Sequence, residues 1–183
     1  MRGMTISLMT VALWACGGND DDPVDTGADA TEAELMCAGE LGEPEVFLGE
    51  GVGGAFAELQ DGAQVGLEIA PQGGFGVSVQ VRTVGIMGDA PAEVTVRTEI
   101  DGVTNAEFSF LDDDGNPTQQ LFCQDDGRSA LGAGIAVGFD AQQYTQDNLT
   151  DLDGQVTDLI VEVTDERGVT AVGRKTVTIV VGG

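Results

Sequence analysis

"FGVSVQVRTV", residues 75–84, decides the fold. Phe75, Val77, Val79, Val81 and Thr83 take every second position and suit a core, while Gly76, Ser78, Gln80 and Arg82 lie between them. Successive side chains of a strand point to opposite faces, so a period of two predicts a strand with one buried face. The period returns in Val65-Leu67-Ile69, Val94-Val96-Thr98-Ile100, Ala106-Phe108-Phe110, Leu159-Val161-Val163 and Val177-Ile179-Val181. No window carries an apolar stripe at helical spacing long enough to compete.

The punctuation between these runs agrees. In Pro71-Gln72-Gly73-Gly74 the proline pre-sets φ for a type I turn and a following glycine is free to go left-handed. Thr164 to Gly168 joins the last two runs in the same way, and Asp112-Asp113-Asp114-Gly115-Asn116-Pro117 is a third turn cluster. Leu131 to Phe139 has apolar odd positions and nearly side-chain-free even ones, which suits either a strand covered on its second face or a glycine-rich loop. From residue 44 to 183 about 140 residues remain, the size of one domain. Seven to nine short strands joined by hairpins predict an all-β domain, an antiparallel β-sandwich of immunoglobulin-like type, with a small β-barrel as the alternative.

The beginning of the chain answers a different question. Arg2 is the only charge before a short apolar segment, Met4 to Ala15, and Cys16 closes it. Twelve residues at about 1.5 Å each fall short of a hydrocarbon core of roughly 30 Å. A basic start, a short apolar stretch and small residues at the break describe an export signal, residues 1–15. Leu13-Trp14-Ala15-Cys16 resembles the lipobox of bacterial lipoproteins, with Trp14 bulkier than that pattern usually carries. The resemblance implies that Cys16 becomes an acylated N-terminus; two or more acyl chains anchor a protein stably where one does not. Gly17 rather than aspartate follows it, which under the enteric sorting rule implies the outer membrane. An outer-membrane or cell-surface location is therefore expected, a periplasm-facing one remaining open.

Residues 16–43 carry nine acids and no base. Such a segment offers little apolar surface to offset its ordering entropy, and like charges extend it, so a flexible acidic tether is expected there. Cleavage before Cys16 removes one of seven basic residues and none of 32 acidic ones, leaving a net charge of −26. That field repels phosphate backbones and anionic headgroups, which excludes nucleic acid and assigns membrane attachment to the acyl anchor alone. An electrostatic partner in the envelope or outside it should be cationic.

Cys37 and Cys123 remain. In an oxidising compartment an even pair is expected to bond, pinning the tether to the body; two buried free thiols are the alternative. The stretch from Val46 to Gly85, with "FAELQDGAQV" and "APQGGFGVSVQVRTVG", is similar to a group of small, uncharacterised Gram-negative lipoproteins that share a Pro-Gln-Gly-Gly-aromatic turn. Many of them follow the aromatic with histidine, where this chain has Gly76. The resemblance covers about a quarter of the chain, implies a lipoprotein with a sandwich domain, and brings no activity.

Chemistry is mostly excluded. The chain has no histidine, which removes the serine–histidine–acid triad, the cysteine–histidine pair and the commonest transition-metal ligand. Lys175, the only lysine, falls in phase with Val177 and Ile179 and reads as a rim residue snorkelling past the core. Cleavage discards Trp14, the only tryptophan, and Tyr144 is the only tyrosine, so aromatic sugar platforms are missing. A non-catalytic binding or structural module is expected, with no catalytic residue. The competing class is a carboxylate-pair hydrolase of glycosidase type, which a cleft holding two acids would favour. Asp112, Asp114 and Asn116 offer hard oxygens for a possible calcium ion, as do Asp147, Asn148, Asp151 and Asp153. A plain solvated turn explains both clusters better than an ion does.

Overall fold

The strand foreseen at residues 75–84 is present as β4 (Phe75–Val84), and its alternation is realised: Val77, Val79, Val81 and Thr83 are buried while Ser78, Gln80 and Arg82 are half-buried. The computed structural model describes residues 30–69 and 74–182. The export segment, Cys16 and the Pro71-Gln72-Gly73 part of the first turn lie outside the described residues. The chain is all-β, with about 50% of it in strands and almost no helix.

One eleven-stranded sheet curls into a half-barrel. β1 (Glu45–Glu50) pairs antiparallel with the second half of β4. On the other side of β4 lie β8 (Ser129–Leu131) and β9 (Ile135–Gly138), against its two ends. β7 (Gln119–Cys123) pairs β8 and then β5 (Pro91–Ile100), carrying the sheet round the corner. β5 continues to β10 (Val156–Asp165) and β11 (Thr170–Val180), and β6 (Val103–Ser109) folds back on β5 after a bulge at Thr98/Glu99. The inner faces of both walls supply the core, with Leu48, Val79, Val94, Leu121, Val137, Leu159, Val161 and Ile179 at its centre.

Two expectations need correcting. The pairing is not purely antiparallel: β2 (Gln64–Gly66) runs parallel to β11, because the loop after Leu59 returns along that strand, Gly62 N–H donating to Thr176 O and Thr178 N–H to Ala63 O. Nor is Val65-Leu67-Ile69 one strand. Leu67 N–H donates to Val180 O, after which the chain crosses to the edge of β4 as β3 (Glu68–Ile69), leaving Ile69 exposed. Leu131–Phe139 is neither wholly strand nor wholly loop: Gly132–Gly134 interrupts β8 and β9, yet Leu131, Ile135, Val137 and Phe139 are all buried, as the phase requires.

The ordered body begins earlier than residue 44. Thr31 and Glu34 form a capping box, each accepting or donating across the first turn of a short helix, α1 (Glu32–Cys37). Cys37 is bonded to Cys123, their Cα atoms 5.7 Å apart, within the span a disulfide needs. Gly88 lies under the bridge, where a Cβ would come within 2.8 Å of the Cys123 sulfur. Arg167 holds the same end of the helix, donating from Nη1 to Ala38 O at 2.9 Å. Its Nε and Nη2 bond the wholly buried Asp165 carboxylate at 2.9 and 2.6 Å. Asp165 also accepts from the amides of Met87, Arg167 and Val169. Burial alone would raise the Asp165 carboxyl, but Arg167 and the two amides of Met87 and Val169 outweigh it and hold it below its ordinary range.

Candidate binding groove

Among the described residues β6 and β9 each have one paired edge and one open edge: β6 pairs only β5, and β9 only β4. They face each other where the half-barrel does not close. At the narrow end β9 is tied to β5, Thr98 Oγ1 donating to Gly138 O at 2.9 Å, and the residue two after β9 is tied to β6, Asp140 N–H donating to Asn105 Oδ1 at 3.0 Å. Toward Gly134 and Gln119 they bound a groove of about 840 Å³, within the size range of ligand pockets.

The groove's lining follows from register. Phe108 pairs with Val96 and Ala106 with Thr98, and Val96 and Thr98 are buried on the inner face. Phe108 and Ala106 therefore also face inward, but among the described residues no strand opposes them, and Phe108 is 59% exposed. It meets Phe110 edge to face, ring centroids 4.9 Å apart, an arrangement aromatic pairs favour. Ile135, Phe75 and Phe139, all buried in the core beneath, complete the apolar wall. A contiguous apolar patch, unlike apolar residues exposed singly, marks an interaction surface, and Phe108 and Phe110 continue the apolar wall of Phe75, Ile135 and Phe139. Alternation alone read Phe108 as core; nothing in the sequence shows that the opposing wall stops at β9.

A cleft exists, then, and two acids border it, Glu107 and Asp140. They do not form a facing pair. Glu107 lies between the inward Ala106 and Phe108, so its side chain points outward, where Oε2 accepts from Arg97 Nη1 at 3.3 Å. Asp140 is left as the single groove carboxylate, its Oδ1 accepting from Gln142 N–H. General acid and nucleophile or base must approach one bond from opposite sides, which this arrangement does not supply.

The other foreseen residues lie apart from the groove's wall. Asp112 Oδ1 accepts from the amides of Asp114 and Asn116 at 2.9 and 2.8 Å, and the Asn116 amide group donates to both Asp112 oxygens. These bonds, led by the Asn116 amide, lower the Asp112 carboxyl. Asp112 and Asn116 thus build the turn. Asp114 has its amide in that turn, and among the described residues no three carboxylates here come within 4.8 Å of one another. The turn caps a short hairpin, Leu111 bridging Pro117, that rises directly from the groove residues Phe110 and Gln119. In the second cluster Asn148 Oδ1 accepts from Thr145 and Asp153 Oδ1 from Val181 N–H. Lys175 is on the inward phase at the rim, its Nζ 2.8 Å from Glu58 Oε1. Tyr144 is buried against Phe139, and its hydroxyl is raised by that burial and then by Asp151.

Five of the six basic residues beyond residue 30 are used within the fold: Arg82 with Asp126, Arg97 with Glu99 and Glu107, Arg167 with Asp165, Arg174 with Glu99 and Asp158, and Lys175 with Glu58. Arg128 stacks over Phe47. The surplus of acids faces solvent. Among the described residues no helix is long and apolar enough to cross a membrane. No protein-family model matches the chain, and no curated protein is similar to it at a significant level.

Proposed function

We propose that this protein is a lipid-anchored, non-catalytic binding module of the Gram-negative envelope, held at the outer membrane or cell surface through Cys16. In this reading the two walls of the half-barrel act as a β-sandwich of immunoglobulin-like build. Residues 16–29 space it from the lipid, and calcium at the Asp112 turn is an optional passenger. The observation that carries the binding reading is the groove: core-phase Phe108, 59% exposed, on a wall that no strand opposes among the described residues. Against a hydrolase stands the single carboxylate, Asp140, that the groove retains.

Two measurements test the two halves. Metabolic palmitate labelling should mark the wild type and miss Cys16→Ser; a substituted protein that still labels and sediments with membranes overturns the anchor. A soluble form beginning at Gly17 should bind Nile red, a neutral apolar dye, at one site. Phe108→Ser should weaken that binding about ten-fold, matching loss of roughly 1.4 kcal/mol of buried aromatic surface. Dye bound equally well by both proteins would remove the groove from consideration.

A further inference from the structure

We propose that the opening between β6 and β9 takes a short extended peptide, cationic and carrying a bulky apolar side chain, which pairs with the edge of β9. The inference rests on the binding reading above and names its ligand. Three observations converge on it.

The first is hydrogen-bonding capacity. Phe139 N–H donates to Phe75 O, and Val77 pairs with Val137, so the odd residues of this segment turn their backbone groups toward β4. Gly138 O instead accepts from Thr98 of β5, on the side away from β4. Backbone direction alternates along a strand, so the N–H and C=O of exposed Ala136 point into the opening as well. A free strand edge beside an apolar pocket is the arrangement used when a peptide adds to a sheet, with main-chain bonds giving affinity and a pocket reading one side chain.

The second is shape. Phe108 and Phe110 stand at right angles on one side, and Ile135 closes the other, which suits a single aromatic or branched side chain. The third is charge. Among the described residues none lining the groove is basic, Asp140 borders it, and the Asp112-Asp113-Asp114 turn rises from its Phe110 end. With nearly every cation of the fold already paired, an anionic occupant, whether a fatty acid, a phosphate-bearing molecule or a second copy of this acidic chain, meets repulsion and no counterion. A lysine- or arginine-flanked segment meets attraction.

The test uses the soluble form from Gly17 and a synthetic heptapeptide, Lys-Phe-Lys-Val-Lys-Phe-Lys, capped at both ends. It should displace Nile red and bind at least ten-fold more tightly than the same peptide with glutamate at each lysine. Affinity should fall several-fold between 50 and 300 mM salt, the more so in wild type than in Asp140→Asn. Ala136→Pro removes only the N–H that faces the opening, and an edge strand tolerates proline there. It should weaken the peptide about ten-fold and leave Nile red binding unchanged. Equal binding of the lysine and glutamate peptides, tighter displacement by laurate, or dimerisation that buries the groove overturns the inference. So does Nile red binding that the lysine peptide cannot displace, an outcome that leaves the groove reading standing. Failure of Nile red itself sinks both.

Discussion

Asp165→Ala should destabilise the fold by about 3–4 kcal/mol, one of the two largest effects expected of single substitutions outside the central core. The carboxylate is wholly buried and serves Arg167 and three backbone amides at once. Removing it leaves those amides without acceptors and a guanidinium facing an apolar void. Arg167 itself is about one-third exposed, so its charge is partly relieved by water, which places the cost at the lower end for a broken buried pair. In a domain of this size the melting temperature should fall by roughly 10 °C or more. The pH dependence has a definite sign. The Asp165 carboxyl is lowered in the folded state, so its contribution is complete above the unfolded value near 3.9 and disappears as pH falls through the lower folded value. Urea titrations from pH 6 down to pH 2.5 should show a steeper acid limb in the wild type than in Asp165→Asn. A loss under 1 kcal/mol for the alanine variant, or parallel acid limbs, would show that the clamp is ornamental.

Opening the Cys37–Cys123 bridge ranks with it. The two positions are 86 apart, and in the loop-entropy model closing such a loop stabilises by about 4 kcal/mol. Cys37→Ala and Cys123→Ala should therefore lower stability by similar amounts, and the double variant by little more than either alone. Both cysteines are only half-buried, so little cavity cost confuses the comparison. The intact mass of the native protein should lie two hydrogens below that of its reduced form. Two thiols freely alkylated in the unreduced native protein would refute the bridge.

What the residues disclose in advance depends on how far their interactions reach. β4, β5, β10 and β11 were legible because each is ten or eleven residues long and repeats apolar, often β-branched residues at alternate positions over at least five of them. β1 and β7 were not foreseen: β1 offers only Val46 and Leu48 on the inner phase before a glycine, and β7 only Leu121. The parallel run of β2 is set by where the preceding loop returns, which no local pattern encodes. The groove was invisible for the same reason. Phe108 obeys the core phase of its own strand, and its exposure is decided by the end of β9, some thirty residues later. Local alternation specifies a face; only topology specifies whether that face is covered.

The bridge also decides how the molecule answers tension. A pull on the N-terminal side passes from Cys37 straight to Cys123 and never enters the polypeptide between them. That segment holds β1 to β7, and at about 3.4 Å per residue its 86 steps amount to roughly 290 Å of contour length locked against extension. Of the residues after Cys37, only those beyond Cys123 can pay out. β6 and Phe108, one wall of the opening, lie inside the locked loop, whereas β9 lies outside it on the loaded path. Under force the two lips of the opening therefore respond differently: one stays slack while the other carries load. A reductant that cuts the bridge should add that hidden length to the first rupture recorded when a single molecule is stretched.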